Sequence, residues 1–343
     1  MIAPVVARVA HARIGGRWVA DAVVELSATG LRLVPDGDAP RRLARIEGAL
    51  MPPLTDAHVH LGLCDAARDE PTALGRVLDL GWAPSELPAL VDAVAAAHRG
   101  VEARFAGPFH AAVGGYPSDR SWAPPGSVVE LSTPSEAASS VRAQAEAGAA
   151  AIKVTLSSDD GPVLEDDVLS VLVAEAREAG LPVVAHARGA GQVERAIAAG
   201  VDVLAHAPWT EPLDDAVIRA AAPRQTWIST LAMHERDGDE RALAIATDNL
   251  ARFAAAGGSV AYGTDLGNGL DRFDLDPAEI AGLRRAGIDG TALVDALLSE
   301  RLLPPGPMVG TVAGDVVDDE SLLADLHRAR SLPYTWFDQE ASA

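Results

Sequence analysis

The chain has a single cysteine, Cys64, in 343 residues. No intrachain disulfide can form, so nothing calls for an oxidising compartment, and a reducing cytoplasm is the expected home. Aromatic residues are scarce, at 4%. No apolar run approaches the ~20 residues of a membrane span. The start, Met-Ile-Ala-Pro-Val-Val, lacks the basic residues and apolar stretch of a signal peptide. Positive charge is also in deficit, with 28 Lys and Arg against 49 Asp and Glu, giving a net charge of −21. A surface this acidic repels nucleic acid and anionic membranes, so neither is expected as a partner and a small-molecule substrate is.

What is present is a large apolar fraction, 48%, dominated by Ala, Val and Leu. That favours helices packed closely on a sheet, and the length suits one α/β barrel with a small appendage. Residues 1–50 alternate apolar and polar positions. Val5–His11, Trp18–Ser27 and Leu31–Val34 read as antiparallel strands, broken at Gly15-Gly16 and Pro35-Asp36-Gly37. From Leu54 the rhythm changes to short strands alternating with helical segments. Eight strands are expected: Thr55–Leu61, Arg76–Leu80, Arg104–Val113, Ala151–Leu156, Pro182–Ala187, Val201–Ala207, Thr226–Leu231 and Ser259–Thr264. This alternation predicts a TIM (β/α)8 barrel over residues 51–303. A doubly wound sheet, the rival, would gather its site at one switch point. Residues 304–343 follow a Pro/Gly-rich break and are expected to return to the layer begun by residues 1–50.

Six residues stand at the ends of the expected strands: His58, His60, Lys153, His186, His206 and Asp265. Strand alternation puts His58 and His60 on one face, half of a site for Zn²⁺ or a similar ion. Alone, that pair reads equally well as two core or surface histidines. His186 and His206 close successive strands, which weakens the same bland reading for them. Asp265 alone reads as a helix N-cap; beside four histidines it reads better as a metal-binding carboxylate and proton acceptor. Lys153 lies inside an apolar strand, where a charged amine is costly to bury. It becomes a ligand if its amine takes up CO₂ as a carbamate, which has two oxygens to bridge two metals. The alternative is a lysine reaching out to Asp159 or Asp160.

The ordered phrases Asp56-Ala57-His58-Val59-His60, Val77-Leu78-Asp79-Leu80-Gly81, Gly148–Val154, Val184-Ala185-His186-Ala187 and Gly263-Thr264-Asp265 resemble the amidohydrolase superfamily. The likeness is to its binuclear, carboxylated-lysine form, in the imidazolonepropionase-like and Xaa-Pro-dipeptidase-like branch, and it is strongest over about residues 50–270. The resemblance implies one metal on His58, His60 and Asp265, and a second on His186 and His206. Carboxylated Lys153 and a hydroxide would bridge them, with Asp265 as general base. It also implies a small β-sandwich made from the N- and C-terminal segments, and it allows a homo-oligomer. Two phrases depart from the branch: His186-Ala187-Arg188-Gly189 and Ala205-His206-Ala207.

Loops after barrel strands set specificity. His110, Tyr116, Arg188, Trp209 and His234 are the candidates for contact with substrate. Tyr116 reads equally as a packed loop anchor, and Arg188 as the partner of a neighbouring acid. His11, His98 and His327 fall outside the pattern. The reading is a metal-dependent hydrolase, with zinc expected, cleaving a C–N bond in a dipeptide, an N-acyl amino acid or a cyclic amide. The alternatives are an esterase or lactonase on the same site, and a non-catalytic scaffold of the same fold.

Overall fold

The N-terminal strands form because alternating apolar residues line one face, and Gly15 and Gly16 turn the chain. Both glycines have positive φ (58° and 73°), as a two-residue hairpin loop requires. The computed structural model describes residues 3–35, 43–68 and 70–341. The turn expected at Pro35-Asp36-Gly37 therefore lies in part outside the described residues.

The hairpin joins β1 (Val5–Ile14) to β2 (Arg17–Ser27), followed by β3 (Gly30–Leu33) and β4 (Ala44–Met51). Three parallel strands come next: β5 (Leu54–Val59), β6 (Leu74–Asp79) and β7 (Glu102–Phe105). A second parallel sheet holds β8 (Phe109–Ala112), β9 (Val128–Leu131), β10 (Ile152–Ser157), β11 (Val183–Arg188), β12 (Val203–Leu204), β13 (Thr226–Ile228) and β14 (Ser259–Ala261). The last two strands are β15 (Met308–Val312) and β16 (Ala329–Pro333), and a helix over Trp336–Ala341 follows them.

β15 and β16 join β1–β4 in one six-stranded sheet, ordered β16-β15-β4-β1-β2-β3. Both chain ends thus build one layer. Among the described residues it is a single curled sheet, where a sandwich of two facing sheets is the expectation. Its apolar face packs Val9, Val24, Leu26 and Leu50 against Tyr334 and Phe337.

The two parallel sheets abut at both margins through backbone hydrogen bonds. On one side Ala150 N donates to Phe105 O at 2.8 Å; on the other Ala57 N donates to Tyr262 O at 2.9 Å and His60 N to Leu266 O at 2.8 Å. Between the sheets lies one apolar cluster that includes Ala57, Leu78, Ala106, Ala151, Val184, Val203, Ala205, Ile228 and Ala261. These residues come from successive strands or the residues flanking them, and most are small.

The expected third strand, Arg104–Val113, is two strands. Gly107, with φ 85°, and Pro108, with no N–H to donate, break the ladder. β7 pairs with β6 and β8 with β10, so the break carries the chain from one sheet to the other. The strand expected to reach Leu231 stops at Ile228, and a helix runs from Leu231 to Asp237. β4, β9, β15 and β16 are absent from the sequence expectation. No helix among the described residues is long and apolar enough to cross a membrane.

Candidate metal centre

All six strand-end residues line one cavity of about 470 Å³. His58 is the penultimate residue of β5 and His60 follows the strand, Lys153 sits within β10 and His186 within β11, His206 follows β12, and Asp265 follows β14. Lys153, His58 and Asp265 are 1%, 1% and 5% exposed.

Three ligand atoms converge. His58 Nε2 lies 3.2 Å from His60 Nε2 and 3.1 Å from Asp265 Oδ1, and His60 Nε2 lies 3.4 Å from that same oxygen. The protons on these rings follow from their outer partners. His58 Nδ1 lies 2.8 Å from Ala205 O and His60 Nδ1 3.2 Å from Gly81 O. A carbonyl can only accept, so each Nδ1 carries hydrogen and donates. In the neutral rings both Nε2 atoms then present lone pairs to each other and to a carboxylate. Burial first, and the neighbouring Lys153 charge next, keep His58 well below the usual histidine range and so neutral. Three acceptors this close need a shared proton or a cation between them.

The second half of the centre is looser. His206 Nδ1 meets Thr230 Oγ1 at 2.8 Å. His186 Nε2 is buried with no hydrogen-bond partner among the described residues. Burial, and then the Lys153 charge, hold His186 down to about 3, so its ring stays neutral and its free nitrogen can act as a ligand. The His186 and His206 ring centres are 5.0 Å apart, and those of His58 and His206 are 4.7 Å apart.

Burial lowers the Lys153 amine to about 7, against the opposing pull of Asp265 and Asp79. Near neutral pH a substantial share of this buried amine is therefore unprotonated, and that form is nucleophilic. Lys153 is also the only lysine in the chain; every other strongly basic side chain is arginine. An arginine could occupy a strand or pair with an acid, but it cannot form a carbamate. The donor set therefore suits divalent metal ions: imidazoles, a carboxylate and an amine of the kind that can form a carbamate.

Several positioning residues escaped the sequence reading. Asp56 Oδ1 accepts from His58 N (3.0 Å) and Thr264 N (3.1 Å), and its Oδ2 accepts from Thr264 Oγ1 at 2.6 Å. It ties the His58 strand to the residue before Asp265. Asp79 accepts from Leu61 N and Gly81 N, which fixes the loop whose carbonyl orients His60. Asn268 Nδ2 donates to Asp265 Oδ2 at 3.0 Å. Thr230 and Asp265 hold positive φ of 46° and 55°, which are strained values for residues with a Cβ. Asp56 and Asp79 were within reach of the sequence, since both lie in the phrases around the ligands. Thr230 carries no such signal.

The expected substrate residues divide. Tyr116 stacks on His186 with ring centres 5.1 Å apart, and Trp209 sits between His206 (5.2 Å) and His234 (5.3 Å); all line the cavity. Arg188 lines it too, but its Nη1 is held at 3.0 Å by Asp160 Oδ2. His110, expected beside the substrate, lies elsewhere: its nitrogens meet Lys153 O and Ser140 Oγ, both at 2.8 Å, so the ring ties β8 to β10 and the neighbouring helix. His11, His98 and His327 are not among the residues of this cavity.

No family model matches the sequence, and no curated protein matches it. Solved structures do. A Xaa-Pro dipeptidase with bound methionine superposes at TM-score 0.69 with 16% identity, covering 94% of this chain and 97% of that one. The ochratoxinase of A. niger gives 0.72 at 17% identity, over 96% and 94%. A prolidase complexed with N-methylphosphonate-L-proline gives 0.68 at 17%, over 97% and 98%. The fold of this chain is the fold of these enzymes, as its ordered motifs imply.

Proposed function

We propose that this chain is a metal-dependent hydrolase that cleaves a C–N amide bond in a small molecule. The observation that carries the reading is the convergence of His58 Nε2, His60 Nε2 and Asp265 Oδ1 in the cavity that also holds Lys153, His186 and His206. Fold neighbours described as dipeptidase, ochratoxinase and molinate hydrolase agree with it. In this reading the two parallel sheets are arcs of one (β/α)8 barrel. The hydrogen bonds at both margins and the shared apolar filling between them support that closure. Residues 1–50 and 304–343 form the small domain.

His58, His60 and Asp265 would hold one divalent ion and His186 and His206 a second, with zinc the expected metal. When bound, such ions supply a water acidic enough to ionise near neutral pH and polarise the scissile carbonyl. The chain's own residues do the rest. The unprotonated form of the Lys153 amine would attack CO₂ and release a proton to solvent, and the carbamate so formed would add two oxygen donors to the set. Asp265 would serve as the general base that accepts the water's proton and passes it to the leaving nitrogen. Tyr116, Trp209 and His234 orient the substrate against the ligand histidines.

The test is amide hydrolysis by zinc- and bicarbonate-treated protein, assayed on blocked amino acid amides, dipeptides and cyclic amides before and after a chelator. Turnover that chelation abolishes and zinc restores supports the reading. Turnover indifferent to chelation contradicts it.

A further inference from the structure

We infer that the cavity selects amides bearing an aromatic or bulky apolar group and no free carboxylate, and that Asp160 enforces this by holding Arg188. The inference rests on the hydrolase reading and narrows its substrate class.

Recognition of a substrate carboxylate needs an uncompensated cation, most often an arginine fork. Among the described residues only two strongly basic side chains line this cavity, Lys153 and Arg188. Lys153 lies among the metal-site residues. Arg188 is already engaged: its Nη1 lies 3.2 and 3.0 Å from the two carboxylate oxygens of Asp160, and its Nε lies 3.8 Å from Asp159 Oδ2. Asp160 is itself fixed, accepting from Arg120 Nη2 at 3.0 Å and from Ser157 Oγ at 2.6 Å. Its side chain is 13% exposed, against 42% for Arg188, so the acid is the anchored partner. An incoming carboxylate would have to displace a carboxylate already in place.

The remaining charges at the mouth are negative. Asp237 and Asp239 line the same cavity and are exposed. With Asp159 and Asp160 they outnumber Arg188 and Arg120, so the groups around Arg188, away from the metal-site residues, carry net negative charge and disfavour a carboxylate placed there. The walls offer ring faces. Phe109 and Tyr116 each contact Trp122, with ring centres 5.9 and 6.3 Å apart, and Trp209 lies beyond His186. Such faces accept an aromatic body and tolerate a cationic group over a ring.

Three matched probes test this on the full zinc-loaded chain: N-acetylphenylalaninamide (neutral), phenylalaninamide (cationic) and N-acetylphenylalanine (anionic). Affinities are measured by tryptophan fluorescence at low salt near neutral pH. The neutral and cationic probes should bind at least about tenfold more tightly than the anionic one. Asp160→Asn should strengthen anionic binding by a similar factor, and adding Arg188→Gln should cancel that gain. The anionic probe binding tightest to wild type, no difference among the probes, or no binding of any of them would overturn the inference. Should Asp160→Asn fail to fold, the wild-type ranking decides. The expected ranking without hydrolysis of any amide would leave the selectivity standing and overturn the hydrolase reading instead.

Discussion

The ring nitrogens of His58 and His60 face each other at 3.2 Å with both outer nitrogens committed as donors to carbonyls. That arrangement is unfavourable for two neutral imidazoles alone and favourable around a cation. Replacing either histidine with alanine should remove the first ion and lower turnover by at least about a hundredfold. Metal analysis of the purified variants, alongside circular dichroism to establish folding, checks this.

Lys153 is the only lysine, which makes the carbamate unusually easy to observe. Protein equilibrated with ¹³C-bicarbonate should give one slowly exchanging carbamate carbon resonance, and Lys153→Arg should give none. A wild-type spectrum without that resonance would remove the proposed bridge.

Thr230 holds His206 through Oγ1 at 2.8 Å from a strained backbone position. Thr230→Val keeps the shape and deletes the hydrogen bond. Loss of such outer partners typically costs about 10- to 100-fold in metal affinity. Competition with a fluorescent zinc chelator measures it, and an unchanged affinity would show that His206 needs no such support.

Gly263 has no room for a side chain. A Cβ there would sit 2.4 Å from Ile228 Cγ2 and 3.1 Å from His58 Cβ. Gly263→Ala should therefore destabilise the fold by about 1–3 kcal/mol and displace His58. Urea unfolding and metal titration of the variant read the two effects separately.

Glu279 is fully buried, its Oε2 accepting from Ala232 N at 2.7 Å, where the helix that carries His234 begins. Burial raises its carboxyl from 4.5 to about 7, although hydrogen bonds oppose the shift. A carboxyl raised on folding contributes stability that is present at low pH and lost as pH climbs through this window. Glu279→Gln does not titrate. Relative to wild type it should gain stability between about pH 4.5 and 7, by at most about 3 kcal/mol. Parallel pH profiles of the unfolding midpoint would contradict this.

The sequence exposed the cluster of candidate ligands, which the fold brings into one cavity, because chemistry left little choice of residue. An H-x-H phrase, two strand-end histidines, a buried lysine and a strand-end aspartate are costly in an apolar chain unless they act together. Strand periodicity also separated the N-terminal layer from the parallel strands. What stayed hidden depends on backbone geometry. The break at Gly107-Pro108 looks, in sequence, like an interruption within one apolar run. β15 and β16 are weakly patterned because they are specified by pairing with β4 and each other. His110 and Arg188 illustrate the limit for side chains. Both sit near ligand strands, but only the fold shows that Ser140 occupies the first and Asp160 the second.

The most direct measurement is the metal content per chain of protein purified without chelator and then incubated with Zn²⁺ and bicarbonate. The account predicts about two ions per chain, falling together with activity in Lys153→Ala. One ion or none under those conditions would contradict the binuclear centre at its root.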